Sequence, residues 1–232
     1  MPLGPENMQE LLLSNHHIID PSKKEPSVPP LTAAQRRLHR AALQLFAERG
    51  VTRINASELA EMAGMARGTV YNNLSDLDGL FSQVAAQLSA EMTERIESGV
   101  GQLQDPAQKL ANGIRYFTKR AHEDPLWGRF ICSFALSSAS LQEIWAGQAV
   151  KDLREGLEKG RYAFQQEQLA SAVTLITGAV LGSVLLVLEG RKTWRDAGSD
   201  SAQFVLTALG VPREEARALA SMELPAIPDA PP

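Results

Sequence analysis

Between Asn55 and Leu74 the chain spells two short helices with a glycine between them. Asn55 followed three residues later by Glu58 has capping-box spacing, in which each side chain accepts a hydrogen bond from the other residue's free backbone N–H. A helix is therefore expected from Ala56 to Ala63, ending at Gly64, which takes a left-handed turn without the cost of a Cβ. A third helix then runs from about Ala66 to Leu74. Ala60, Gly64 and Val70 stand where a helix-turn-helix unit needs, in turn, a small residue at the helix crossing, a left-handed turn residue and a branched apolar anchor. Leu59, Ala63 and Met65 supply the other buried positions. A helical hairpin of purely structural purpose matches the same spacing.

The flanking sequence is helical too. Leu38, Ala41, Ala42, Leu45 and Phe46 fall at i, i+3, i+4, i+7 and i+8, one buried face of a helix that stops at Gly50. Asp76 is placed to cap a fourth helix with Leu80, Phe81, Val84, Ala85 and Leu88 on one side. Asp105-Pro106 and Asp124-Pro125 pair a capping acid with a first-turn proline, so helices begin near 106 and 125. Further helices are expected over 139–160, 166–189, 199–209 and 212–222. Nothing alternates as a strand does, and the expected fold class is all-α. Residues 1–30 carry six prolines and lack the basic start, long apolar run and cleavage site of a secretory signal; they read as a flexible extension. Residues 31–78 read as a helix-turn-helix domain, 79–224 as a larger helical domain, and 225–232, "PAIPDAPP", as a flexible tail.

With Val70 and Leu74 inward, 100° per residue turns Gly68, Thr69, Tyr71 and Asn72 outward or sideways, with Arg67 and Asn73 on the flanks. These side chains suit a DNA groove. Asn pairs with an adenine edge, Thr and Tyr reach phosphates or thymine methyls, and Arg binds guanine or phosphate. Gly68 costs about 1 kcal/mol of helix propensity against Ala, which is understandable if the backbone must approach a phosphate. A net charge of −4 excludes blanket attraction to nucleic acid, so any such site is local. From Ala33 to Phe81, six arginines face five acids, a net +1, and Arg36 and Arg37 near the start of the first helix are placed to meet a phosphate backbone more plausibly than Arg40.

The run "AALQLFAERGVTRINASELAEMAGMARGTVYNNLSDLDGLF" resembles the DNA-binding domain of TetR-family transcriptional regulators, where "A..LF...G" precedes "IA..AGVS.GTLY.HF.SK..L". Leu45, Phe46, Gly50, Ala60, Ala63, Gly64, Gly68, Thr69, Tyr71 and Leu80 match, with Leu59 a close substitute. The resemblance implies a three-helix DNA-binding head, a C-terminal ligand-binding and dimerisation body, and a homodimer on a roughly palindromic double-stranded DNA operator. A repressor released by a small-molecule effector is the expected mode. Ala66 replaces the family's capping serine, Leu77 replaces a lysine that often touches phosphate, and Asn73-Leu74 replaces "HF".

In the body, Tyr116, Phe117, Trp127, Phe130, Phe134 and Trp145 gather. Most aromatics of this kind pack a core; together with the resemblance they imply a cavity for a mainly apolar molecule. Leu169 to Leu188 holds twenty residues without a charge, long enough for a bilayer. Yet Ser171, Thr174, Gly178 and Gly182 form a small or polar stripe, while Val173, Ile176, Val180, Val184 and Val187 form an apolar one. A soluble core helix fits better than a membrane span. Its small stripe, with Thr174, Gly178 and Gly182, is expected to meet a second subunit alongside Phe204 and Ala208. The single Cys132 excludes an internal disulfide and fits a reducing, cytoplasmic setting. No nucleophile elbow or phosphate loop occurs, and His122 with Glu123, Asp124 and Cys132 reads as helix capping and packing. No enzyme, metal or cofactor is expected; the runner-up is a helical interaction module without DNA binding.

Overall fold

The computed structural model describes residues 31–74 and 76–227, without the side chains of 143–146; the proposed extension over 1–30 and the end of the tail lie outside these residues. The described residues form helices and no strand. Their order is α1 (Ala33–Arg49), α2 (Ala56–Ala63), α3 (Arg67–Asn73), α4 (Leu80–Val100), α5 (Pro106–Glu123), α6 (Pro125–Phe134), α7 (Ala139–Ala146), α8 (Gln148–Glu158), a 3-10 turn (Gln166–Gln168), α9 (Leu169–Leu188), α10 (Trp194–Ala208) and α11 (Arg213–Ser221).

Local signals set most of these boundaries. Asp105 accepts the N–H of Ala107, and Asp124 accepts that of Trp127, so both Asp-Pro pairs open helices as expected. Three boundaries differ. Asp76 accepts the N–H of Gly79 within the turn before α4, and the helix itself starts at Leu80. The stretch 139–160 breaks at Gly147 into α7 and α8. Helix α10 begins five residues before the expected 199, where Thr193 caps Asp196 and Gly198 is carried inside the helix. That glycine is a packing residue, because a Cβ there would stand 2.5 Å from Thr118 Oγ1 on α5.

Helix α5 is the axis of the body. It packs against α4, α6, α8, α9, α10 and α11 and buries Leu110, Ala111, Ile114, Phe117 and Ala121. Tyr116, also on α5, donates its hydroxyl to the carbonyl of Pro225 at 3.0 Å, and Leu224 and Ile227 pack on the core, so the start of the tail lies along the body. Helix α9 turns Ile176, Val180 and Val184 inward. By length and composition Gln166–Leu188 could cross a membrane, but Ile176, Val180 and Val184 of its apolar stripe are in the protein core, with Val173 partly buried against it.

The head, α1 to α3, meets the body through aromatic rings. Phe46 on α1 stands edge-on to Phe81 on α4 at 5.2 Å between centroids, and Phe81 contacts Phe130 (5.6 Å) and Phe134 (5.0 Å) on α6. Arg40 adds a two-pronged ion pair to Asp124 at 2.7 and 3.2 Å.

Candidate nucleic-acid interface and ligand cleft

The helix-turn-helix is built from caps. Asn55 Oδ1 accepts the N–H groups of Ser57 and Glu58, each at 3.0 Å, and Glu58 Oε2 accepts the N–H of Asn55 at 3.1 Å. The Asn55 N–H bond, with the hydrogen bond and charge of Arg49, holds the Glu58 carboxyl below its ordinary pKa. Gly64 sits at φ 61°, ψ 42°, and the N–H of Met65 reaches back to the carbonyl of Ala60 at 2.9 Å, which reverses the chain into α3. Val70 and Leu74 are buried, so the opposite face of α3 is fixed by geometry.

On that face Gly68, Tyr71 and Asn72 are exposed, as is Arg67, and Thr69 is half-buried. Tyr71 leaves 57% of its surface uncovered, a large value for an aromatic ring in a folded chain. Arg67 lies over it, its guanidinium carbon 5.8 Å from the ring centroid and Nη2 3.4 Å from the hydroxyl. A Cβ on Gly68 would meet nothing within 4 Å, so the glycine serves no packing contact inside the chain. Ala66 precedes α3 without a side-chain cap.

Two other members of the expected set make contacts inside the chain. Asn73 is half-buried and donates Nδ2 to the carbonyl of Thr69 at 2.8 Å. Arg37 points Nη2 at the carbonyl of Gly64, 3.4 Å away, and so leans on the turn. Arg36 is exposed on α1. Arg40 is drawn to Asp124, an acid that burial pushes up but that the Arg40 hydrogen bond and the Trp127 N–H hold below its usual range. Nothing in the sequence pattern signals a pair 84 positions apart.

In the body, a narrow cleft of about 30 Å³, partly open to solvent, lies among α4, α5, α8 and α9. Ile96, Leu110, Ile114, Phe117, Ile176 and Val180 line it, and Lys109, Gln148 and Asp152 form its polar end. Of the six aromatics expected around a cavity, Phe117 is on this wall. Tyr116, Trp127, Phe130 and Phe134 are buried in the core instead, the last two at the head–body joint, and the Trp145 side chain lies outside the described residues. The small stripe of α9 is outward: Thr174, Gly178 and Gly182 are exposed beside Leu175 and Leu185, and on neighbouring α10 Phe204 is 66% exposed, with Ala208 exposed one turn on.

Residues 38–84 match the family model described as "Bacterial regulatory proteins, tetR family", and residues 105–222 match "Tetracyclin repressor-like, C-terminal domain". The chain belongs to the TetR family. It is a DNA-binding transcriptional regulator and not an enzyme. No curated protein matches it. Among solved structures, RolR in complex with resorcinol is 30% identical, covers 84% of this chain and 96% of its own, and superposes with a TM-score of 0.64. The regulator FadR from Bacillus subtilis, in complex with stearoyl-CoA, shares the fold at 19% identity, covering 74% of this chain and 97% of its own, with a TM-score of 0.62. A TetR-family regulator from Shewanella sp. PV-4 does so at 19% identity, covering 78% and 100%, with a TM-score of 0.66.

Within this TetR-family body the missed residue is Asp152. Only 3% of it is exposed, and burial pushes its carboxyl up to about 6, partly opposed by the Gln148 hydrogen bond and by Lys109. Gln148 Nε2 donates to Oδ1 at 2.8 Å, and no described residue donates to Oδ2, which lines the cleft. Because the folded pKa lies above the unfolded one, the folded state holds the extra proton between about pH 4 and 6. Stability from this group is therefore present below that window and lost as pH rises through it. Asp152→Asn is expected to raise stability at pH 7.5 by about 1–2 kcal/mol, and to do so less at pH 4.5. Thermal melts of both proteins at the two pH values check it, and an equal shift at both would show that the charge is not the cause.

Proposed function

We propose that this regulator is a cytoplasmic homodimeric repressor that reads a palindromic operator through α3 and leaves it when a small, mainly apolar effector enters the α4–α5–α8–α9 cleft. The observation that carries the DNA reading is the outward face of α3: an exposed Tyr71 with Arg67 over it, beside a glycine that packs against nothing. In a dimer two such helices must enter successive major grooves about 34 Å apart, so a small change in their separation weakens binding. Arg36 and Arg37 are proposed phosphate contacts and Arg67, Thr69, Tyr71, Asn72 and Asn73 groove contacts, with Asn73 first giving up its bond to Thr69. The exposed apolar face of α9 and α10 is the proposed subunit interface.

For the effector, the solved relatives point two ways: RolR is seen with resorcinol and FadR with stearoyl-CoA. The cleft is narrow, with apolar walls from Leu110, Ile114, Phe117 and Ile176 and a polar end at Lys109, Gln148 and Asp152, a lining that favours a compact ring bearing a polar group over a long acyl chain. The α5 helix lines the cleft with Leu110 to Phe117 and ends at Asp124, which holds Arg40 of the head, so a ligand that shifts α5 bears directly on the head.

Selection of bound sequences from random DNA is expected to return a palindromic consensus. Against that consensus, Tyr71→Ala should lose at least 100-fold in gel-shift affinity at matched salt while its melting temperature and oligomeric state stay unchanged. Retained affinity would remove α3 from the reading role. Enrichment of no DNA would favour a helical interaction module.

A further inference from the structure

Asp152 is a carboxylate in a place where carboxylates are costly. Apolar side chains from three helices surround the cleft, burial disfavours the charged form, and Oδ2, which takes no hydrogen bond from a described residue, keeps access to the open space of the cleft. The charged groups acting on it are Lys109 on α5 and Lys151 and Glu155 on its own helix, while α9 contributes none. Lys109 is itself held by Glu155 at 2.9 Å, so it is not an ion-pair partner for Asp152. Behind the same stretch of α8, Tyr162 packs against Gly156 with its hydroxyl buried and without a partner among the described residues, near enough to feel the Asp152 charge. An acid with one oxygen held by Gln148 and the other open to the cleft is placed to take a donor from a ligand.

We propose that Asp152 is the specificity-determining residue of the effector cleft, accepting a hydrogen bond at Oδ2 from a hydroxyl of a small, neutral, hydroxylated ring. This rests on the reading of the cleft as the effector site. The ring lies against Leu110, Ile114, Phe117 and Ile176, and its hydroxyl meets the carboxylate at the polar end, with Gln148 holding the other oxygen in place. A hydrogen bond to a charged acceptor is about twice as strong as a neutral one, and its loss leaves the acceptor unpaired. An analogue without a donor is therefore rejected more strongly than its lost contact alone would imply. A ring bearing its own carboxylate brings a second negative charge to Asp152 and is excluded by repulsion.

Isothermal titration of the full chain at pH 7.5 with resorcinol, 1,3-dimethoxybenzene and 3-hydroxybenzoate tests this. Resorcinol is expected to bind at least 10-fold more tightly than either of the other two. In Asp152→Asn, resorcinol should weaken at least 10-fold while 1,3-dimethoxybenzene changes less than 3-fold, with a thermal melt confirming a folded variant. The ligand series on the unaltered protein decides the matter if the variant does not fold. Equal binding of resorcinol and its dimethyl ether, or an unchanged resorcinol affinity in a folded Asp152→Asn, would overturn the role of Asp152 and leave the cleft as the effector site. Binding of none of the three, at concentrations up to millimolar, would overturn both.

Discussion

The double substitution Gly178→Arg with Gly182→Arg is expected to give a folded monomer whose operator affinity falls at least 100-fold. Within the chain neither position touches anything, since a Cβ on either glycine would meet no atom within 4 Å. Both lie inside α9, where replacing glycine removes a propensity cost of about 1 kcal/mol each. The monomer has no local reason to lose stability. The surface they share is another matter: Leu175, Leu185 and Phe204 are 45%, 47% and 66% exposed beside them, an apolar patch of the kind that marks an interaction surface. If a second copy covers it about a two-fold axis, the substitution places four arginines in one desolvated seam, a cost that exceeds what the patch contributes. Light scattering after size exclusion reads the mass, and gel shift reads the operator. An unchanged dimer mass would sink the interface placed on α9 and α10.

How much of this could be read from the sequence follows from how local each determinant is. The helix-turn-helix was legible because Asn55, Glu58 and Gly64 act within four residues of themselves, and because Val70 and Leu74 fix the direction of every other side chain on α3. The start of α10 was not, because Gly198 reads as a breaker and only its approach to Thr118, eighty positions away, explains it. The break at Gly147 had no local mark that outweighed the helical periodicity around it. Arg37 and Asn73 looked free for DNA, and their contacts to the turn and to Thr69 appear only when the three helices are packed. Asp152, between Lys151 and Leu153, reads as a surface acid; it is buried because it flanks the inward stripe of Val150 and Leu153 and faces α5. Aromatic clustering marked a core correctly in kind but could not separate a cavity wall from a joint, since both need large apolar side chains at helical spacing.

Phe130→Ala discriminates between those two uses and carries the largest expected effect on stability. Phe130 has no exposed surface and its ring lies 6.4 Å from Phe46, 5.6 Å from Phe81 and 5.1 Å from Phe134. Truncating such a ring removes its transfer free energy and leaves a cavity, together about 3–5 kcal/mol. For a chain of this size that lowers the melting temperature by about 10 °C. The rings also join α1 of the head to α4 and α6, so loosening them lets the head reorient and weakens operator binding even below the melting range. The cleft, by contrast, has no wall at Phe130, whereas Phe117 forms part of it. Calorimetric titration with resorcinol should therefore give an affinity within about 3-fold of the unaltered protein in Phe130→Ala and at least 5-fold weaker binding in Phe117→Ala. The reverse order would move the effector site to the aromatic joint, and with it the route by which a ligand reaches the head.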